Sequence, residues 1–231
     1  MSYDNLRPVL ERIKMTVGFV VGGGRNTTTV FDLEDSFHDS REMTACMERV
    51  KADPEMGRLI AEGYTTPDYD LDRLIQYPVG TLAHTYAKLM RKQGLDPHFY
   101  RDRPVATDVD YCIMRVRKTH DLHHIVTGFS MLPEGELGVT GVTAYQYGYP
   151  AFAMIGLTAV ALAFQQAQGF QQAIDLVAAG IRIARACKPL MGTRWEDGWD
   201  KPLDRWRAEL GITPITSGSN SWHAMMPAAN A

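Results

Sequence analysis

The sequence predicts a mainly α-helical protein, a single-domain helical bundle. Apolar residues recur three and four positions apart through most of the chain, the period of helices that turn one face inward. Glycine and proline stop these runs at regular intervals. With 231 residues, 45% of them hydrophobic and 22% charged, the chain can bury a substantial core and suits one domain of ordinary size. No internal repeat or linker divides it. A net charge of −3 and a pI near 6.2, without a run of lysine or arginine, give no surface for a nucleic-acid backbone, so no nucleic acid is expected as a partner. Cys46, Cys112 and Cys187 are scattered, odd in number and without C-x-x-C spacing, and read as buried free thiols of a reducing compartment.

Residues 1–29 form an N-terminal helix and a glycine-rich loop. Met1 to Pro8 has neither the apolar core of a secretory signal nor the arginine-rich, acid-free face of a mitochondrial one, which leads to the expectation of a cytoplasmic protein. Val9 to Val21 mixes apolar residues at helical spacing with Glu11, Arg12 and Lys14, and Gly22-Gly23-Gly24-Arg25-Asn26 breaks the run. No Lys-Ser or Lys-Thr pair follows these glycines, so they are a flexible turn rather than a phosphate cradle. Residues 30–215 are the main, metal-binding domain. Within it, Phe31, Leu33, Phe37, Met43, Met47 and Val50 predict one or two short helices, with Asp32 or Asp35 as cap. Asp53-Pro54-Glu55 opens the next, with proline at the first helical position, and Gly63 closes it. Thr, Pro and Asp make residues 64–72 a loop. A helix then runs through Leu82, Tyr86, Leu89 and Met90 to Gly94 and Pro97, and its His84 reads as a packed histidine.

From Asp108 to Met131, Val109, Cys112, Ile113, Val116, His120, His124 and Val126 keep helical spacing, so this is a long buried helix. Positions 120 and 124 lie one turn apart and 121 and 124 are neighbours, which lets His120, Asp121 and His124 converge on one point. Gly128 and Pro133-Glu134-Gly135 end the helix and return a second one antiparallel, turning Glu136 towards the histidines. Two imidazoles with one or two carboxylates suit a divalent metal, and zinc, iron, manganese and cobalt all accept such donors. The expected ligands are therefore His120, Asp121, His124 and Glu136. In H-E-x-x-H metalloproteases the inner Glu is the general base; the shorter Asp121 stands there, which argues against a protease. Arg117 precedes His120 by three and Asp121 by four, so its guanidinium can meet a substrate carboxylate or orient Asp121. A phosphohydrolase of the His-Asp type would need more ligands than His38, His84, His98 and His223 supply.

Leu137 to Ile174 contains no charged residue. A membrane span needs about twenty predominantly apolar residues, whereas Pro150, several glycines and six glutamines interrupt this stretch. Two helices meeting near Tyr147-Gly148-Tyr149-Pro150 fit it better. The second, Ala151 to Gln168, is apolar nearly all round as far as Phe164, as befits a central core helix or one wall of an apolar cavity. Its small residues, Ala151, Ala153, Gly156, Ala159, Ala161 and Ala163, let a helix, a second subunit or a lipid chain lie close. Gln172 to Cys187 repeats apolar residues at helical spacing, with Arg182, Arg185 and Lys188 at the end that the helix dipole favours. Trp195, Trp199 and Trp206 read as a closing plug. Residues 216–231, rich in Ser, Asn and Ala, read as a flexible tail.

The run Thr119 to Phe129, with His120-Asp121-x-x-His124 and then Glu136 after eleven residues, resembles the signature of the coenzyme Q biosynthesis protein 4 family. The likeness continues through Asp53-Pro54-Glu55, Pro78 to Ala87, Gly94-Leu95-Asp96-Pro97 and Gly135-Glu136-Leu137-Gly138, over roughly residues 30 to 210. His123 departs from it, standing where an aromatic residue is expected. The resemblance implies ubiquinone biosynthesis: a metal-dependent decarboxylase, a lyase, acting at ring C1 of a polyprenylated 4-hydroxybenzoate, in some accounts with hydroxylation of the same carbon. Asp121, Glu136 and Arg117 would be its catalytic residues. It also implies an apolar ligand tunnel for the tail, to which we assign Tyr145, Tyr149, Phe152 and Gly156 as substrate contacts. Were dioxygen to take part, two histidines and one carboxylate would suit ferrous iron, and the second acid would be an outer base. Expected partners are other ubiquinone-biosynthesis proteins, a second copy of the chain in a homo-oligomer such as a dimer, and the inner face of a membrane as a peripheral contact. The alternative is a non-catalytic lipid-binding scaffold that organises the enzymes of that pathway. Its metal would be structural, closed off by protein ligands, where a catalytic metal keeps an open position.

Overall fold

The computed structural model describes residues 3–24, 26–65, 67–165 and 169–226, without the side chains of residues 3–5 and 225. Among them the chain is mainly helical, with twelve α-helices, one 3-10 turn and, in place of strands, two isolated bridges. The helices are α1 (Tyr3–Val21), α2 (Thr27–Ser36), α3 (Arg41–Ala52), α4 (Pro54–Glu62), α5 (Leu71–Leu74) and α6 (Leu82–Gln93). Then follow α7 (Asp108–Thr127), α8 (Pro133–Tyr147), α9 (Pro150–Ala163), α10 (Gly169–Ala186), α11 (Leu203–Leu210) and α12 (Trp222–Met225), with the 3-10 turn at Trp195–Gly198.

Local chemistry sets most of these ends. Asp53 caps α4, its carboxylate accepting from the Glu55 N–H at 3.1 Å, with Pro54 in the first turn, and Gly63 ends the helix at φ 57°. Two expectations change. Asp32 and Asp35 lie inside α2, and Ser40 instead caps α3 by accepting from the Met43 N–H. The first helix begins at Tyr3, well before Val9, and carries Pro8 in its second turn at the loss of one backbone bond. Arg25, Gln166 and Gln168 lie outside the described residues.

Helix α7 organises the interior because it is buried on nearly all sides. Its first half, with Cys112, Ile113 and Val116, packs into a cluster with Leu33, Met43, Val50, Leu59 and Tyr149. Its second half, with Leu122, Ile125 and Val126, packs into another with Tyr86, Val139, Trp195 and Trp206. Cys46 and Cys112 are buried and Cys187 is half-buried, all as free thiols. The metal motif therefore sits where two parts of the core meet.

Close backbone approach occurs, but not on α9 as its small residues suggested. A Cβ on Gly180 of α10 would lie 2.0 Å from the Gly138 carbonyl oxygen of α8, whereas one on Gly156 of α9 would meet only Thr140 Cγ2 at 3.5 Å. Helix α9 is buried at its start, through Ala151, Phe152, Ile155 and Gly156, and then runs to the surface, where Leu157 is 73% exposed. It is thus a wall rather than a central helix. The tail expectation also changes over its described part. Trp222 is buried and donates its Nε1–H to the Ile125 carbonyl at 3.1 Å, and the Ser130 N–H donates to the Asn220 carbonyl at 2.7 Å. Residues 227–231 of that tail lie outside the described residues. No described helix is long and apolar enough to cross a membrane.

Candidate metal centre

Helix α7 starts under a capping box: Thr107 accepts from the Asp110 N–H, and the Asp110 carboxylate accepts from the Thr107 N–H. It ends at Gly128, which has φ 85° and whose Cβ, had it one, would clash with the backbone of Ile215. Pro133 opens α8 four residues later in the chain than Phe129, and Glu136 falls in its first turn. This sharp return sets Glu136 against the face of α7 that carries His120 and His124.

There the ligand atoms converge. Glu136 Oε2 lies 3.0 Å from His120 Nε2 and 3.3 Å from His124 Nε2, and the two Nε2 atoms are 3.1 Å apart. Metal–ligand bonds of about 2.0–2.2 Å at bond angles near 90–110° put neighbouring donor atoms about 3–3.5 Å apart, so these three suit one face of a coordination sphere. Both histidines direct Nε2 inward and keep Nδ1 buried. His124 is fully enclosed, His120 half-buried, and Glu136 has 45% of its side chain exposed, so the centre is open on the Glu136 side. The donor set of two imidazoles and a carboxylate fits a divalent metal.

The electrostatics agree with a shared site. Burial pushes the Glu136 carboxyl up, but the two imidazoles overcome this and hold it well below the usual carboxylate range. Burial opposes charging of His120, and the Glu136 carboxylate outweighs it, raising its pKa. Asp121 moves the other way from Glu136. Burial raises its pKa, and the attraction of His120 and His124 only partly offsets this.

Other predicted site residues take different places. Asp121 is not among the groups whose ligand atoms lie within 4.8 Å of one another, which are His120, His124 and Glu136. One residue on from His120, it is turned about 100° around the helix; there its charge reaches Tyr86 of α6. The Arg117 guanidinium turns to partners other than Asp121. Its side chain is 1% exposed, with Nε donating to Glu34 at 2.7 Å, Nη2 to Asp35 at 2.9 Å and Nη1 to the Arg101 carbonyl at 2.8 Å. His123 is buried against Trp195 and away from the triad, with a ring-centroid separation of 6.2 Å. Burial, chiefly, holds its pKa well below the usual value. His84 donates to or accepts from none of these residues; its Nδ1 faces the Ile75 and Tyr77 carbonyls.

Of the four assigned substrate contacts, Phe152 touches the centre, its ring 5.4 Å from that of His120. Tyr149 is buried behind it, Gly156 packs on Thr140, and Tyr145 is exposed. None of the four lines the apolar groove of about 590 Å³ between α1 and α9, whose walls include Val9, Ile13, Val17, Met154, Leu157 and Ala161. Sequence reasoning missed α1 here, although Val9, Ile13 and Val17 form a stripe at helical spacing. It also missed Glu34, one of three acids on the short helix α2, whose burial the sequence did not signal.

A model of the family described as coenzyme Q (ubiquinone) biosynthesis protein Coq4 matches residues 39–216. Among curated proteins, the mitochondrial ubiquinone biosynthesis protein COQ4 of Eremothecium gossypii is 34% identical over 151 residues, 63% of this chain and 46% of that protein. That of Vanderwaltozyma polyspora is 28% identical over 200 residues, 84% of this chain and 55% of that protein. The chain thus spans about half the length of these relatives. Their mitochondrial names lend the expected cytoplasmic location no support. A crystal structure of a ubiquinone biosynthesis protein from Nostoc punctiforme superposes with a TM-score of 0.80 at 28% identity, covering 92% of this chain and all of that one. With the family model spanning most of the chain, including both histidines and the glutamate of the triad, the chain belongs to the coenzyme Q (ubiquinone) biosynthesis protein Coq4 family.

Proposed function

We propose that the chain binds a divalent metal through His120, His124 and Glu136 and acts in ubiquinone biosynthesis, removing the C1 carboxyl group of a polyprenylated 4-hydroxybenzoate. The observation that carries the metal reading is the triangle of donor atoms at 3.0, 3.1 and 3.3 Å, open on one side. Family membership supports the pathway. Zinc, iron, manganese and cobalt all suit the donors. A metal bound there would act as a Lewis acid towards a carboxylate or phenolate oxygen of the ring.

The chain's own residues divide the remaining work. His120 and His124 present Nε2 and fix the geometry, while Glu136 adds the negative charge that holds a cation. Asp121, beside the triad but outside it, is the candidate acid for a proton to C1. In that reaction the C1–carboxyl bond breaks, its electron pair stays on C1, and C1 takes the proton as carbon dioxide leaves. In the hydroxylating form, dioxygen, two electrons from an added reductant and the matching protons are consumed, the C1–carboxyl bond breaks with loss of carbon dioxide, and C1 gains a hydroxyl group while the second oxygen atom leaves as water. The tail lies in the groove between α1 and α9, where apolar burial contributes about 25 cal/mol per Å². Exposed Leu10, Ile13, Leu157 and Phe164 around it give a peripheral contact with the membrane from which such a lipid is drawn.

The test is metal analysis of protein purified without added metal, then incubation with prenylated 4-hydroxybenzoate, with and without oxygen and reductant. Metal near one equivalent and release of carbon dioxide are expected. Tightly bound metal with no carbon dioxide under either condition would overturn the enzyme and leave the scaffold.

A further inference from the structure

Metal-bound histidines ordinarily donate the second ring N–H to a carboxylate, a carbonyl or water, which fixes the plane of the ring. Among the described residues, neither His120 Nδ1 nor His124 Nδ1 has a protein partner, although both are buried. His124 is enclosed by packing, with no exposed side-chain surface. His120 is 16% exposed and needs another support.

That support is a relay of contacts. The His120 ring meets Phe152 at 5.4 Å between centroids and 70° between planes, and Phe152 meets Tyr149 at 5.2 Å and 78°. Both are edge-to-face arrangements of the kind that fix relative ring orientation. Tyr149 is in turn held, since its hydroxyl donates to Glu34 Oε1 at 2.9 Å. The other Glu34 oxygen accepts from Arg117 Nε at 2.7 Å. Arg117 is anchored by Asp35 and the Arg101 carbonyl. The relay therefore joins α2, α7 and α9 behind one ligand. An ion pair this deeply buried is weak evidence for stability, because well-packed apolar residues often serve as well. Glu34 also lies before residue 39, where the family match begins, so this support comes from the chain's own N-terminal part.

We propose that Glu34 and Tyr149 are positioning residues that, through Phe152, set the orientation of the His120 ring at the metal centre. The inference rests on the metal reading above, and its test separates the two.

The full-length apo protein is titrated with cobalt(II), whose absorption bands report donor geometry. The variants are Tyr149→Phe, Glu34→Gln and Phe152→Leu. The control is Tyr147→Phe, which removes the hydroxyl of another buried tyrosine, one that donates to Asp53 Oδ2 at 2.8 Å, away from the centre. Thermal unfolding of each apo form monitors the fold. Tyr149→Phe should weaken cobalt binding by roughly tenfold, the lower end for loss of an orienting partner, and shift the bands. Tyr147→Phe should match the wild type in both while losing similar thermal stability. Should Tyr149→Phe or Glu34→Gln fail to fold, Phe152→Leu carries the test, with the same shift expected. Wild-type spectra and affinity in the folded relay variants, or the same change in Tyr147→Phe, would overturn the positioning role alone. A wild-type chain that binds no cobalt would overturn the metal centre itself.

Discussion

Replacing Glu136 by Gln removes a negative charge from the centre and keeps nearly the same shape, so its effect reports charge rather than packing. Metal affinity or turnover should fall by about tenfold or more, the range seen when a metal site loses support. His123→Gln should leave both close to wild type, since His123 lies against Trp195 and outside the triad. Equilibrium metal titration of both variants decides between them, and loss of metal in His123→Gln with retention in Glu136→Gln would sink the ligand assignment. At this scale, what the sequence made visible was local. His120 and His124 share a helix face by spacing, and Gly128 with Pro133 marks the return that brings Glu136 across. Asp121 was harder, because a side chain one residue from His120 points well around the helix and a short carboxylate cannot make up the difference. Arg117 was misplaced for another reason. Its spacing does put it on the ligand face, but Glu34 and Asp35 from a distant helix claim its guanidinium, and no local pattern announces a partner 83 residues away.

Helices were legible wherever their ends are made by neighbouring residues. Asp53 with Pro54 opens α4, and Gly63, Gly94 and Gly128 close α4, α6 and α7 in left-handed conformations. What packs against a helix was less so. The meeting of α8 with α10 depends on Gly138 and Gly180 facing each other across 42 residues, and the anchoring of Trp222 depends on the Ile125 carbonyl. The capping box of α7 gives a test at this scale. Burial pushes the Asp110 carboxyl up, but the hydroxyl and N–H of Thr107, the Ala106 N–H and Arg103 overcome it and hold the pKa at about 2, below the ordinary 3.8. Because the folded pKa is the lower one, the ionised carboxylate contributes stability that is full above about pH 4 and is lost as pH falls towards about 2. Asp110→Asn should therefore be less stable than wild type by a constant amount from neutral pH down to about pH 5, and the gap should close on further acidification. Urea unfolding across that range measures it. A gap that persists unchanged at about pH 2 would mean that the carboxylate charge is not what holds the start of α7.

For the whole molecule, the sequence left the uncharged stretch as either a central core helix or one wall of an apolar cavity, and revealed no opposite wall. That wall is α1, whose Val9, Ile13 and Val17 face α9 across the groove. The groove runs along α9 from Pro150 to Leu162, while Phe152 near the start of the same helix touches His120 and does not line the groove. This arrangement would let a ring sit at the metal while its tail follows α9 outward. Gly156, one of the expected tail contacts, packs on Thr140, so a charge there would disturb the core. Leu157 is the better probe, being 73% exposed and part of the groove wall. A charge at so exposed a position should change stability by no more than about 0.5 kcal/mol. It would nevertheless place an ion beside a bound tail, where each buried CH₂ group contributes about 0.8 kcal/mol. Leu157→Asp should therefore raise KM for a long-tailed prenylated hydroxybenzoate by about tenfold, equivalent to displacing roughly two such groups, while leaving a short-tailed analogue as in wild type. Steady-state carbon dioxide release with both substrates gives the comparison. Equal loss with the two tails would show that the change acts on the ring site, and no loss with either would remove the groove from the path of the tail.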